Sequence, residues 1–133
     1  MTKLSDGDYE TLAGFRYALR RFVRYSEAAA ANEGLTARQH QALLAIRAGP
    51  GGTLHIGELA ERLFLRPHSA SELVQRMEEQ GLLRRETGAA DRRQVRLRLH
   101  QRGEDLLEDL SQSHRAELLR LRPMLQELLA GLG

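Results

Sequence analysis

The chain contains no cysteine, and that one absence removes disulfides, thiolate catalysis, thiol redox sensing and every cysteine-ligated zinc or iron–sulfur site. Tryptophan is missing too, and aromatic residues make up only 5% of the 133 positions, too little to wall a large aromatic cofactor pocket. No apolar run approaches the length of a membrane span, and the first ten residues are polar and acidic rather than leader-like. The expectation is a soluble cytoplasmic chain with no membrane partner. With 41% hydrophobic and 29% charged residues it has an ordinary globular composition, long enough for one domain, or for one domain plus helices that pack on a partner.

Catalytic equipment is equally sparse. Gly49-Pro-Gly-Gly52 lacks the Lys-Ser/Thr that completes a phosphate-binding loop, so it reads as a turn. His40, His55, His68, His100 and His114 lie too far apart in sequence to form a local metal pair, and scattered surface or interface histidines account for them. Ser69 and Ser71 have His68 as a sequence neighbour, but neighbours on a helix do not make a triad. No catalytic residue, metal ligand or cofactor is assigned.

What the chain does have is a concentration of arginine. Residues 84–102 carry seven arginines against Glu86 and Asp91, a net +5, whereas residues 103–133 carry six acids against three arginines, a net −3. A solvated charged face normally mixes signs; a nearly single-signed run favours an anionic partner. The basic run also has a shape. Val95, Leu97 and Leu99 alternate with Gln94, Arg96 and Arg98, which is a strand pattern, and Leu82 to Thr87 precedes it across Gly88-Ala-Ala. This is a hairpin with a loose tip at Asp91-Arg92-Arg93, where a carboxylate can hold a neighbouring guanidinium in a defined direction.

Helical patterns surround the hairpin. Residues 9–26 place Tyr9, Leu12, Phe15, Leu19, Phe22 and Val23 at helical intervals, and Ala28 to Gly34 is expected to end that helix. Thr36-Ala-Arg-Gln39 has the capping-box form and starts a second helix; Gly49 to Gly52 breaks it before a short strand at Thr53 to Ile56. Two shorter helices follow, Glu58 to Leu63 and Pro67 to Gln80, the latter burying Ala70, Leu73, Val74 and Met77 and capped by Gly81. From Gly103 to Leu132, Leu107, Leu110, His114, Leu118, Leu121, Leu125 and Leu128 form a heptad-like seam, with Pro123 expected to bend or divide it. The N-terminal helix looks too short to cover that seam, so a second copy is expected to cover it, with Leu12 and the seam leucines as dimerisation residues. The alternative is an antiparallel pair within one chain.

Two short helices followed by a cationic hairpin have the parts a duplex reader needs, the second helix being the size that enters a groove. Burial of Ala70, Leu73, Val74 and Met77 turns His68, Glu72, Gln75 and Glu79 outward, with Ser71 and Arg76 on the flanks. His and Gln can bond base edges in a major groove, Glu can accept from a cytosine amino group, and Ser69 with the helix start suits a phosphate. A plain solvated face would look similar taken alone. Arginines of the hairpin suit phosphates and a narrow minor groove, with Arg93 reaching furthest under the guidance of Asp91, and Arg84, Arg85, Arg96 and Arg98 available to phosphates or to acids of the protein itself.

The segments LTARQHQALLAI (35–46), ELAERLFLRPHSASELVQRMEEQGLLRR (58–85) and DRRQVRLRLHQRGEDLL (91–107) resemble, in order and spacing, the MarR-type winged helix-turn-helix regulators. The resemblance covers about residues 10–130. It implies a mainly α fold with a small β-hairpin, in which 35–100 form the winged helix-turn-helix DNA-binding region and 1–34 with 101–133 an intertwined helical dimerisation region. It further implies a homodimer on double-stranded DNA, with Pro67, His68, Ser69, Ser71, Glu72, Gln75 and Arg76 on the recognition helix and Arg84, Asp91, Arg92, Arg93 and Arg96 on the wing. Such regulators are usually repressors that release DNA when a small, often phenolic or lipophilic effector binds between the two regions. Tyr9, Phe15, Arg16, Tyr17, Arg20, Tyr25 and His40 sit on helices that could line such a pocket, although packing explains each aromatic. Three positions depart from the family pattern: Arg66 where a capping Ser or Asp is common, Glu72 where a basic residue is common, and His100 where Thr usually starts the next helix. RPHSASELV is similar to a His-Ser-Ala variant of some members. A winged-helix module that binds an acidic protein instead of DNA is the alternative reading.

Overall fold

A computed structural model of the protein describes residues 3–87 and 95–132. Its elements run α1 (Asp6–Asn32), α2 (Ala37–Ala48), a 3-10 turn (Pro50–Gly52), β1 (Thr53–His55), α3 (Ile56–Arg62), α4 (Pro67–Glu79), β2 (Leu83–Thr87), β3 (Val95–Leu99) and α5 (Gln101–Ala130).

Local chemistry sets most of these boundaries. Ser5 and Asp8 form a capping box that opens α1, and Thr36 with Gln39 does the same for α2. β1 follows a turn in which Gly49 is required: a Cβ there would lie 1.9 Å from the Thr53 carbonyl oxygen. His55 opens α3 by accepting from the Gly57 N–H at Nδ1 (3.1 Å). The sheet is antiparallel in the order β1-β3-β2, with Leu54 opposite Leu97 and Leu83 opposite Leu99.

One core serves the winged region. Leu43 and Ile46 of α2, Leu54 of β1, Leu59 of α3, Val74 and Met77 of α4, and Leu83, Leu97 and Leu99 of the sheet are all buried together. α5 starts against this core, and Gly103 allows it: a Cβ there would come within 2.3 Å of the Leu82 carbonyl oxygen.

α1 ends at Asn32, inside the Ala28 to Gly34 stretch expected to end it, and Ala30 near that end is fully buried. Three expectations need correction. α5 is not divided at Pro123, which sits inside one continuous helix at the cost of a single backbone donor. α1 is also long enough to lie along the seam. The two helices pack antiparallel, with the Tyr25 hydroxyl donating to the Ser113 carbonyl (3.2 Å) and Gly14 so close to Leu128 that a Cβ would meet its side chain at 2.9 Å. Finally, Leu107 and Leu110, expected at a dimer interface, are buried in the core of their own chain. Leu12 and Leu118 remain exposed, and Leu121, Leu125 and Leu128 are half-buried.

Candidate nucleic-acid interface

α4 buries Ala70, Val74 and Met77, with Leu73 half-buried beside them. That spacing turns Pro67, His68, Ser71, Glu72, Gln75 and Arg76 to solvent, with Ser69 half-exposed. Pro67 occupies the first turn, and Arg66 at the cap makes no side-chain hydrogen bond, which leaves the leading N–H groups of the helix open. His68 Nε2 lies 3.0 Å from Glu72 Oε1, one turn along. Arg76 pairs with none of the described acids.

The N-terminus of α2 borders the same face. Thr36, Arg38 and Gln39 from α2 and Ser69, Glu72, Leu73 and Arg76 from α4 line an open cleft of about 330 Å³. Arg38 and Thr36 were not assigned to the site from sequence. The capping box at Thr36 was the available signal, since it marks a helix start whose N–H groups favour an anion, and Arg38 follows two residues on.

At the base of the hairpin the arginines are already engaged. Arg84 (Nη2, 3.0 Å) and Arg98 (Nε, 2.8 Å) both donate to Glu86 Oε1, and Arg85 Nε donates to Glu78 Oε1 at 2.7 Å. The hydrogen bond from Arg84, followed by that from Arg98, holds the Glu86 carboxyl below the usual carboxylate range. Arg96 is exposed and donates to Thr53 Oγ1 at 3.3 Å. Arg84, expected at the DNA, is thus drawn toward Glu86. Asp91, Arg92 and Arg93 lie outside the described residues.

A second feature sits between α1, α2 and α5. A cavity of about 470 Å³ is walled by Phe22, Val23, Leu44 and Leu118, with His40, His114, Glu27 and Arg115 as its main polar groups. The His40 and His114 rings lie 4.7 Å apart. His114 Nδ1 is 2.6 Å from the Leu110 carbonyl, which can only accept, so that nitrogen carries a proton; Nε2 is 2.8 Å from Ser26 Oγ. His40 is buried, and its Nδ1 has no hydrogen-bond partner among the described residues. Burial, and secondarily the neighbouring His114, pushes the His40 imidazole below its ordinary value. Of the aromatic and basic residues considered for a pocket, His40 alone lines this cavity; Tyr25 packs edge-on against His114 behind it, with centroids 5.4 Å apart.

Residues 33–94 match the family model described as MarR family. A MarR family protein from Bacillus stearothermophilus superposes with a TM-score of 0.77 at 25% identity, over 90% of this chain and 82% of that one. The chain has the fold of the MarR family of winged-helix regulators. AbsC, a MarR family transcriptional regulator from Streptomyces coelicolor, is similar in fold over 98% of this chain and 99% of its own, with a TM-score of 0.72 at 20% identity. A mutant of MepR from S. aureus, bound to an oligodeoxyribonucleotide, gives a TM-score of 0.72 at 19% identity over 98% of this chain and 100% of that one. No curated protein sequence matches the chain. In MarR-type terms α3 and α4 are the helix-turn-helix, β2 and β3 the wing, and α1 with α5 the helical pair. Among the described residues no helix is long and apolar enough to cross a membrane, and no group of three or more His, Asp or Glu is placed to hold a metal ion.

Proposed function

We propose that the protein is a homodimeric transcription regulator that binds double-stranded DNA, with α4 in the major groove and the wing of residues 84–99 at the minor groove. The carrying observation is the α4 face. Its exposed groups are hydrogen-bonding side chains, it begins with open N–H groups, and Arg76 and Arg38 flank the cleft that joins it to the start of α2. The DNA-bound state of a MepR mutant with the same fold supports the reading. Exposed Tyr9, Leu12, Phe15, Leu19 and Val23 on α1 and Leu118, Leu119 and Leu129 on α5 support a second copy as the cover of the helical pair, and hence the division into residues 35–100 and the flanking helices. The cavity beside His40 suits a small aromatic or lipophilic effector that makes the regulator release DNA, as a repressor would.

Fluorescence anisotropy on duplexes selected from a random pool, repeated at rising salt, tests this. Affinity should fall steeply as salt rises, and the protein should sediment as a dimer of the 15.0 kDa chain. Absence of DNA binding even at low salt would instead support the protein-binding alternative. Small aromatic acids added to the complex test the effector.

A further inference from the structure

Glu72 is the residue on the α4 face that least suits an anionic partner. It is exposed on that face, and a carboxylate among phosphates raises the cost of every contact around it. Among the described residues its carboxylate lies within salt-bridge distance of one basic side chain, His68, one turn earlier at 3.0 Å. Arg38 and Arg76 border the same cleft, yet neither comes within salt-bridge distance of the carboxylate. Nothing in the fold needs this group: it is exposed and braces no other element.

We propose that Glu72 reads a cytosine in the major groove and that His68 is a positioning residue for its carboxylate. The inference rests on the DNA-binding reading above. An ionised carboxylate only accepts, so it can be satisfied only by an exocyclic amino group, which excludes guanine and thymine at that position: they present O6 and N7, or O4 and a methyl group. Adenine offers its N6 amino group but sets the N7 acceptor beside it, facing the second carboxylate oxygen. Cytosine offers N4 with only a C–H next to it. A His68 ring 3.0 Å from one oxygen, Oε1, leaves the other free to turn toward the base and limits the directions the side chain can take.

Selection of bound duplexes from a random pool, run in parallel with the wild type, Glu72→Gln and His68→Ala, tests both roles. The wild type should enrich cytosine at one position of each half-site, about tenfold over adenine. Glu72→Gln should switch that same position to adenine, because a primary amide presents an acceptor and a donor to N6 and N7 together. Every other position should keep its preference, which also shows that the variant is folded. His68→Ala should keep cytosine but narrow the ratio about threefold. No cytosine position that responds to Glu72→Gln would overturn the reading by Glu72, and an unchanged ratio in His68→Ala would overturn the positioning role. Failure of all three proteins to enrich any sequence would overturn the DNA-binding reading and this inference with it.

Discussion

The winged region and the helical pair treat their apolar residues in opposite ways. Around α2 nearly every large apolar side chain is buried against its neighbours, as with Leu43, Ile46, Leu54, Leu59, Met77 and Leu97. Along α1 and the C-terminal half of α5, the same residue types stand in solvent even though the two helices already cover one another. The winged region is therefore complete as one copy. The helical pair carries a surface that a single copy leaves wet, and the difference separates residues that make the fold from residues that make the assembly.

Leu43→Ala attacks the first region and should have the largest effect on stability. Removing three carbons from a fully buried site costs about 3 kcal/mol, to be read as a lowered urea midpoint with loss of DNA binding only where the protein unfolds. The double variant Leu12→Glu with Leu118→Glu attacks the second. Both side chains are exposed, so the winged region should keep its helical circular dichroism while sedimentation shows a single 15.0 kDa species. DNA affinity should then fall at least about 100-fold, because two linked half-site contacts become one. A double variant that unfolds as Leu43→Ala does would break the comparison.

The sequence was most legible where one residue type has one structural use. The capping box at Thr36, the breaker at Gly49 to Gly52, and the alternation from Val95 to Leu99 each locate an element directly in the structure. The exposed face of α4 followed from the same periodicity. Legibility failed where position depends on a distant partner. Ala28 to Ala31 has no amphipathic pattern, yet alanine continues α1 and Ala30 packs into the core. On α2, Gln39 and His40 are buried while Leu44 is exposed, so no polar stripe announces the cavity beside it. The arginines at the base of the wing are spoken for by Glu78 and Glu86, whose placement follows from the folding of α4 onto the sheet.

His40 offers a sharper cut between the two regions, since it lies where they meet. Its imidazole faces His114 across the ring contact, with Glu27 of α1 and Arg115 of α5 lining the same cavity. Because burial, and then His114, holds it below the ordinary 6.5, the unfolded chain binds the proton more readily than the folded one. Its contribution is fully present above pH 6.5 and is lost as pH falls from there toward the folded value. The urea midpoint should therefore decline as pH falls below 6.5 toward the lowered value of the folded chain. His40→Leu should flatten that decline. A slope unchanged by the substitution would place the linkage elsewhere.

The smallest effect concerns a turn of the winged region that does not follow the pattern of its neighbours. α1, α3 and α4 all end with the same backbone bond, from the N–H of Leu35, Leu65 and Leu82 to the carbonyls of Ala30, Ala60 and Met77, each at 2.9 Å. That geometry needs a left-handed residue just before the donor, and Gly34 (φ 76°) and Gly81 (φ 71°) supply it after α1 and α4. After α3 the residue is Phe64, at φ 54°, with a side chain that is 96% exposed and gains nothing from burial. Left-handed backbone costs a residue with a Cβ about 1 to 2 kcal/mol. Glycine removes that cost but loses roughly 0.5 to 1 kcal/mol through the greater freedom of the unfolded chain. Phe64→Gly should therefore stabilise the protein by only about 0.5 kcal/mol, seen as a slightly higher urea midpoint, with DNA affinity unchanged. A gain in stability accompanied by weaker DNA binding would mean that the ring is kept at this turn for a contact with the duplex, and that the boundary of the interface extends past α4 into the turn before it.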